Sequence, residues 1–206
     1  MKNVALKKKE ERRILRGHPW VFSNELERSA EKFQAGELVD VLDSSGRFIG
    51  RGYINPHTLI AVRILTRNQE AIDQGFFRKK IAEARHLRTS LYFGDSFRAV
   101  FSEADGLPGL IVDKYADTLV LQSSTAGIDR LLPEIIPALQ NEYSPKAIVL
   151  RNDTPSREIE GLVQEKRVIY GEISGPIVIQ TGRRPSFAPK NFGAVVFIKA
   201  DSCPAG

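Results

Sequence analysis

ELVDVLDSSGRFIGRGYI, residues 37–54, decides the fold of the first part of the chain. Apolar and polar residues alternate over residues 37–43, which is typical of a strand with one buried face. The Ser-Ser-Gly sequence at residues 44–46 predicts a tight turn, because glycine tolerates the positive φ that hairpin turns require. Residues 47–54 then return as a second strand, so the stretch predicts a β-hairpin.

Short strands flank this hairpin on both sides in the sequence. The apolar run Val4-Ala5-Leu6 predicts an edge strand, and residues 59–65 predict another strand after the turn at Asn55-Pro56-His57. Several short strands separated by turn signals are typical of a small barrel. We therefore expect a compact β domain over residues 1–72.

The pattern changes to mixed helix and strand after residue 72. Residues 76–90 predict an amphipathic helix, and residues 128–143 predict a second helix whose regularity we expect Pro133 and Pro137 to limit. Strands are predicted at residues 97–101, 110–115, 118–122 and 146–151. The fold class is α+β, with a central α+β domain at 73–172 and, at 173–206, a tail that is irregular or holds at most one strand.

All of the net charge lies in the first twenty residues. They hold seven basic and two acidic side chains, so their net charge of +5 equals that of the whole chain. The remaining residues hold 23 basic and 23 acidic side chains. A basic stripe beside a neutral body is typical of a protein that binds phosphate on one face. Residues 8–15 predict a helix on which Lys8, Arg12 and Arg16 share one outer face. The alternative is an ordinary solvated helix face.

Candidate RNA-binding residues follow from this stripe and the aromatic segment after it. Cations contact phosphate and give affinity without base choice, whereas aromatic rings stack on bases. Arg47 and Arg51 flank the hairpin and are weaker candidates, and Trp20 and Phe22 could instead fill the core. The candidates are Lys7, Lys8, Lys9, Arg12, Arg13, Arg16, His18, Trp20, Arg47 and Arg51.

Other function classes receive little support from the sequence. Three histidines and one cysteine, Cys203, show no metal-ligand spacing, so we expect no metal site. We expect no membrane partner, no DNA partner and no secretion, and the single cysteine fits a reducing cytoplasm. Glu103, Asp105 and Asp113 form an acidic group beside a Gly-Pro turn; a structural role in that turn is favoured over a catalytic one.

Three segments resemble a known enzyme family. Residues 16–25 (RGHPWVFSNE), 46–56 (GRFIGRGYINP) and 102–115 (SEADGLPGLIVDKY) are similar to motifs of the ribosomal RNA large-subunit methyltransferase I family, in the same order. That family carries a PUA domain, uses SAM and forms 5-methylcytosine in 23S ribosomal RNA. The resemblance implies an N-terminal PUA-type β pseudo-barrel, a central domain, ribosomal RNA as partner and a possible homodimer.

The resemblance stops near Gln180. The family continues there into a Rossmann-like methyltransferase domain that holds the SAM site and the catalytic cysteine, and we expect that domain to be missing from a truncated chain. Cys203 does not match the catalytic position. We therefore expect an RNA-recognition portion with no catalytic, cofactor or metal residues, unable to methylate alone. The alternatives are activity with a partner subunit, or a non-catalytic RNA-binding or dimerisation module.

Overall fold

Two five-stranded sheets, each with its own helices, form most of the described structure. The computed structural model describes residues 1–27, 32–91 and 95–173, together with the backbone of 177–178 and 195–196. The first sheet lies within residues 2–66 and the second within residues 96–171. Both sheets mix parallel and antiparallel strand pairs, so the predicted α+β class is confirmed.

The first sheet has the strand order β1-β3-β4-β5-β2. Strand β1 pairs parallel to β3 at the edge, and the remaining pairs are antiparallel. Register shifts interrupt three of these pairs, and such bulges increase the local twist of a sheet. The elements are β1 (Lys2–Ala5), α1 (Glu11–Leu15), β2 (Trp20–Phe22), β3 (Glu37–Leu42), β4 (Phe48–Ile54) and β5 (Ile60–Thr66).

The predicted hairpin is the centre of this sheet. Strands β3 and β4 pair from Glu37 opposite Ile54 to Leu42 opposite Phe48. The alternation read from the sequence places Val39 and Val41 in a core that also contains Leu6 and Ile14. Helix α1 is thereby anchored to the sheet by its buried Ile14, and its arginines are left on the outside or at the edge of the domain.

The second sheet has the order β10-β9-β8-β7-β6. Strands β8 and β9 are parallel, and helix α3 makes the crossover that a parallel pair needs. Helices α2 and α3 pack against each other and over a common apolar core. The elements are α2 (Gln74–Ser90), β6 (Ser96–Phe101), β7 (Leu110–Tyr115), β8 (Thr118–Ser123), α3 (Ala126–Tyr143), β9 (Ala147–Asn152), α4 (Ser156–Ile159) and β10 (Glu165–Gly171).

Three sequence-based expectations about local structure were wrong. Helix α1 begins only at Glu11, because Lys9 has a φ of 77°, so Lys8 does not share a helix face with Arg12. Helix α3 runs unbroken through Pro133 and Pro137. The tail pairs two short strands, β11 (Ile177–Val178) and β12 (Val195–Val196), instead of holding at most one.

The two domains share a buried contact. Tyr53 of β4 is almost fully buried, and its hydroxyl donates to the Pro108 carbonyl at 2.7 Å and lies 3.0 Å from the Thr125 hydroxyl. Its ring packs on Gly127, where a Cβ atom would lie 2.0 Å from the ring. Tyr53 therefore belongs to the core of the second domain, although its strand belongs to the first sheet.

Candidate nucleic-acid interface

A group of unpaired cations lies at one end of the first domain. Strand β1 ends beside Leu42, so Lys7 and the turn after it lie near the tip of the β3–β4 hairpin. Lys7 donates to the Asn24 carbonyl at 2.8 Å. Four further side chains are exposed and form no ion pair within the described part of the chain; we call them the basic rim, and they are Lys8, Lys9, Arg12 and Arg16.

Arg12 and Arg16 of the basic rim border a shallow depression of about 640 Å³. Its floor is the end of α1 and the following turn, with Gly17 at a φ of 110°. The depression is open to solvent, and its lining residues are Arg12, Arg13, Arg16, Gly17, His18 and Pro19. A surface of this kind can receive a phosphate backbone without enclosing it.

Arg13 lies beside the basic rim, but its guanidinium is held by the fold. Its Nη2 contacts both carboxylate oxygens of buried Glu25, at 2.6 and 2.8 Å, and donates to the Trp20 carbonyl at 3.1 Å. The guanidinium also lies 4.8 Å from the centre of the Phe22 ring and 2.9 Å from Nδ1 of His18. These contacts indicate that Arg13 stabilises the turn after α1 and is not free to bind an RNA phosphate.

The two hairpin arginines have different environments. Arg51 is largely buried, with Nε and Nη2 on the two oxygens of Asp40 at 2.6 and 3.1 Å, and a further bond to the Glu70 carbonyl. Asp40 raises the pKa of Arg51, chiefly through this hydrogen bond. Arg47 is exposed and pairs with Asp43 at 3.0 Å. Only Arg47 of the two could therefore exchange its partner for phosphate at little cost.

His18 and Trp20 connect the basic rim to the second domain. Their rings meet edge-on with centroids 5.5 Å apart, and both residues are half-buried. The indole Nε1 of Trp20 donates to Glu103 Oε1 at 3.0 Å across the domain boundary. Trp20 therefore neither fills the core of the first domain nor projects freely into solvent.

An open cleft of about 330 Å³ lies between the domains at this point. We call it the interdomain cleft. Serine hydroxyls, one indole and two carboxylates face it, with a single cation among the lining side chains. The lining residues are Trp20, Arg63, Ser102, Glu103, Gly109, Ser124, Thr125, Ser156, Ile159 and Glu160.

Glu160 forms one wall of the interdomain cleft, and sequence reasoning missed it. Its carboxylate is buried and accepts from Asn55 Nδ2 at 2.7 Å and from the Ala126 amide at 3.3 Å. Arg63 Nη2 lies 2.9 Å from its other oxygen. No local pattern links these positions, since Asn55 and Glu160 are 105 residues apart. The network joins both domains through one buried charge.

The acidic group beside the Gly-Pro turn is held by internal contacts. The Asp105 carboxylate accepts hydrogen bonds from both terminal nitrogens of Arg88, at 2.6 and 2.7 Å, and from the Phe101 amide at 2.6 Å. Asp113 pairs with Arg98 at 2.9 Å. These contacts agree with the structural role favoured from the sequence. Glu103 differs, because it faces the interdomain cleft.

The described residues contain neither a cluster of metal-ligating side chains nor a helix of membrane-spanning character. Across residues 1–27, 32–91 and 95–173, His, Asp and Glu side chains form no group of three that could hold a metal ion. No helix in that part of the chain has the length and apolar character needed to cross a membrane. Cys203 lies outside the described residues.

Neither the start of helix α3 nor the interdomain cleft supports binding of the SAM cofactor that the resemblance implies. Two residues separate helix α3 from strand β8, and the Ala126 and Ile128 amides of the helix donate to Glu160 and to the Thr125 hydroxyl, respectively. The interdomain cleft, at about 330 Å³, is at the small end of ligand sites, which span about 300–1,000 Å³.

The chain is similar to a known domain family and to curated full-length proteins. Residues 4–67 match the family model of the PUA-like domain. Ribosomal RNA large subunit methyltransferase I from Pseudoalteromonas atlantica is 35% identical over 181 residues, covering 86% of this chain and 46% of the relative. The protein of that name from Shewanella denitrificans is 38% identical over 183 residues, with the same coverage.

Over 86% of its length the chain is similar to part of these ribosomal RNA large subunit methyltransferase I proteins. It spans about half the length of these relatives. A solved structure described as a proposed SAM-dependent methyltransferase from Streptococcus mutans has the same fold, with a TM-score of 0.71 at 14% identity, over 87% of this chain and 46% of that one. The residues that match the PUA-like domain include nearly all of the first sheet and all four residues of the basic rim.

Proposed function

We propose that this protein binds structured ribosomal RNA through the basic rim. The observation that carries the proposal is a set of four exposed cations on a PUA-like domain that form no ion pair with any residue that the structure describes. Four cations clustered at one end of a domain create a local positive potential, which attracts the RNA backbone and gives salt-dependent affinity. The names of the relatives support large-subunit ribosomal RNA as the RNA class.

We further propose that the described residues recognise the substrate for methylation of cytosine C5 in 23S ribosomal RNA and do not perform it. A cysteine nucleophile and a SAM pocket would be required, and residues 1–27, 32–91 and 95–173 contain no cysteine. On this proposal the protein acts in the cytoplasm. The homodimer stays a prediction.

A charge-reversal experiment tests RNA binding. The double variant Arg12→Glu/Arg16→Glu changes two exposed cations of the basic rim, and Arg78→Glu/Lys79→Glu makes the same change on the exposed face of α2. We expect the first variant to lose at least about tenfold in affinity for a 23S ribosomal RNA fragment. Its salt dependence should also fall, by about 0.7–0.9 in slope for each lost phosphate contact.

The measurement is fluorescence anisotropy of the labelled RNA over a series of salt concentrations. The α2 variant should bind within about twofold of the wild type, because residues remote from the contact surface alter affinity little. Equal losses in both variants would point to non-specific attraction by net charge and would contradict a defined interface.

Methyl transfer by the purified chain tests the second part of the proposal. The assay follows transfer of a labelled methyl group from SAM to the 23S fragment. We expect no transfer above the protein-free level, whereas turnover by the chain alone would show that a catalytic site is present. Transfer that requires an added second protein would favour a two-subunit enzyme.

A further inference from the structure

We propose that the interdomain cleft receives one unpaired base of the bound RNA. This inference rests on the proposed RNA-binding function and adds a recognition site to it. The basic rim supplies charge but does not distinguish bases, because phosphate contacts are independent of sequence. A second surface that reads an exposed base would supply that distinction, and the interdomain cleft has the shape and chemistry for it.

The cleft adjoins the depression beside the basic rim through the contact of the His18 ring with the Trp20 ring. Arg13 donates to the Trp20 carbonyl, and the His18 ring, which lines the depression beside the rim, meets the Trp20 ring at 5.5 Å. Trp20 in turn lines the interdomain cleft. An RNA strand whose phosphates lie on the rim therefore has a short path along which a neighbouring base can enter the cleft.

Trp20 provides an aromatic wall for such a base. Its indole ring is half-buried, and the bond from Nε1 to Glu103 fixes its orientation at the cleft. Unpaired bases in protein–RNA complexes commonly stack on aromatic side chains, with a gain of about 1–3 kcal/mol per base. The pre-oriented ring lowers the entropy cost of that stacking.

Glu103 provides acceptors for the hydrogen-bonding edge of the base. One carboxylate oxygen accepts from Trp20 and the other from the Ser102 hydroxyl at 2.5 Å, and each retains a further lone pair. The amino and imino hydrogens of a base are donors that suit these lone pairs. Pairing in a duplex takes up the hydrogens of the Watson–Crick edge, so that edge is free only in an unpaired nucleotide.

The charges of the cleft select the base over its phosphate. Glu103 and Glu160 carry two negative charges against the one positive charge of Arg63, which is already paired with Glu160. A phosphate would be repelled from this site, whereas a neutral base would not. The backbone therefore stays on the basic rim while the base occupies the cleft, whose 330 Å³ suits a single base.

Trp20 also makes the proposal measurable, because it is the only tryptophan in the chain. Three RNAs of equal length are titrated: a hairpin with an unpaired loop, a fully paired duplex, and the same hairpin with abasic loop positions. Anisotropy of labelled RNA reports binding, and Trp20 emission reports the cleft. We expect all three RNAs to bind and only the hairpin with loop bases to quench Trp20.

Glu103→Gln tests the acceptor role, and Glu83→Gln on α2 is the matched control. The glutamine keeps an oxygen for the Trp20 indole but presents an amide donor to the base. We expect Glu103→Gln to bind the loop-containing hairpin about tenfold more weakly and the duplex unchanged. Glu83→Gln should match the wild type with both RNAs, since Glu83 is exposed and lies outside the cleft lining.

Each outcome decides between the proposals. Absence of binding by any RNA would overturn the proposed RNA-binding function and the base site with it. Binding of all three RNAs without quenching, or with equal quenching by the duplex, would overturn the base site alone. Equal affinity of Glu103→Gln and wild type for the loop-containing hairpin would likewise overturn it.

Discussion

Gly127 lies where the two domains touch, and it has no room for a methyl group. It is the second residue of α3, a position at which alanine ordinarily favours the helix. Here a Cβ atom would fall 2.0 Å from the Tyr53 ring. We expect Gly127→Ala to lower the free energy of unfolding by about 1–3 kcal/mol, because overpacking displaces a buried ring. Urea denaturation followed by circular dichroism measures this change.

Gly75→Ala is the matched control for that substitution. Gly75 is also the second residue of its helix, α2, but an added Cβ atom would meet only the Asp73 carboxylate oxygen at 3.2 Å. We expect a change within about 1 kcal/mol of zero, since a small side-chain shift relieves the contact and alanine favours the helix. Similar losses in the two variants would contradict a specific clash with Tyr53.

Asp43 gives the hairpin turn a pH dependence. The Ser45 hydroxyl, then the Arg47 and Ser45 amides, hold the pKa of Asp43 at about 2, below its ordinary 3.8. Since the folded-state pKa is depressed, the stabilisation is complete above about pH 4 and is lost as the pH falls toward 2. Asp43→Asn should therefore be less stable than wild type near neutral pH.

The difference between wild type and Asp43→Asn should shrink on acidification. Urea midpoints of both proteins at about pH 6 and about pH 3 measure it, and contributions from all other carboxylates cancel in the comparison. A difference that is unchanged at the lower pH would show that the turn depends on side-chain shape and not on the charge of Asp43.

Arg12 and Arg13 illustrate what could be predicted at this scale. The basic stripe could be read from the sequence, and Arg12 is indeed exposed. The engagement of Arg13 could not be read, because its partner Glu25 lies in another element and meets it only after the chain folds back. Arg51 and Asp40 are hidden in the same way, since cross-strand pairing brings them together.

At the scale of elements, a proline inside helix α3 lowers the stability of that helix. Pro133 is exposed in the helix interior, where proline removes a hydrogen bond to the residue four positions earlier. We expect Pro133→Ala to raise the free energy of unfolding by about 1–2 kcal/mol, the helix gain being partly offset by greater freedom of the unfolded chain. Thermal and urea denaturation provide the measurement.

Pro155→Ala should have the opposite sign. Pro155 precedes α4 with a φ of −59°, a conformation that proline favours, and it is exposed. Its removal frees the unfolded chain without restoring a helix bond, so we expect a loss of about 0.4–1 kcal/mol. A gain in both variants would mean that the effect is not specific to the interior of α3.

Most regular elements could be predicted because their periodicity is strong. The hairpin β3–β4, helix α2 and the β7–β8 hairpin follow directly from alternation or helical spacing. Helix α4 and strand β10 were missed. A four-residue helix has too little sequence to show a period, and α4 is held by tertiary contacts such as those of buried Arg157 with Ser123 and Val163.

At the scale of the whole molecule, the two domains should unfold together. Tyr53, Leu65 and Ile72 pack into the same core as the second sheet, and Glu160 joins both domains through Asn55 and Arg63. We expect Trp20 emission and far-ultraviolet circular dichroism to give one coincident urea midpoint. Separate midpoints would show that the cores are independent.

Glu160→Ala should weaken this coupling. Removing one partner of a buried ion pair leaves the other charge uncompensated, so we expect a loss of about 3 kcal/mol in the free energy of unfolding. Glu158→Ala is the control two residues earlier, in α4, because Glu158 is exposed and its carboxylate accepts from the Gln164 side chain. It should change stability by less than about 0.5 kcal/mol, measured in the same urea series.

The network of Asn55, Arg63 and Glu160 also constrains how related sequences can diverge. A change at Glu160 would leave the Arg63 guanidinium and the Asn55 amide without their partner inside the protein. We therefore expect such a change to be tolerated only together with changes at the other two positions. These three sites, on separate elements and up to 105 residues apart, should therefore co-vary as one unit. Residues of the basic rim, which have no such partners in the described part of the chain, should each be able to exchange between lysine and arginine without a change elsewhere.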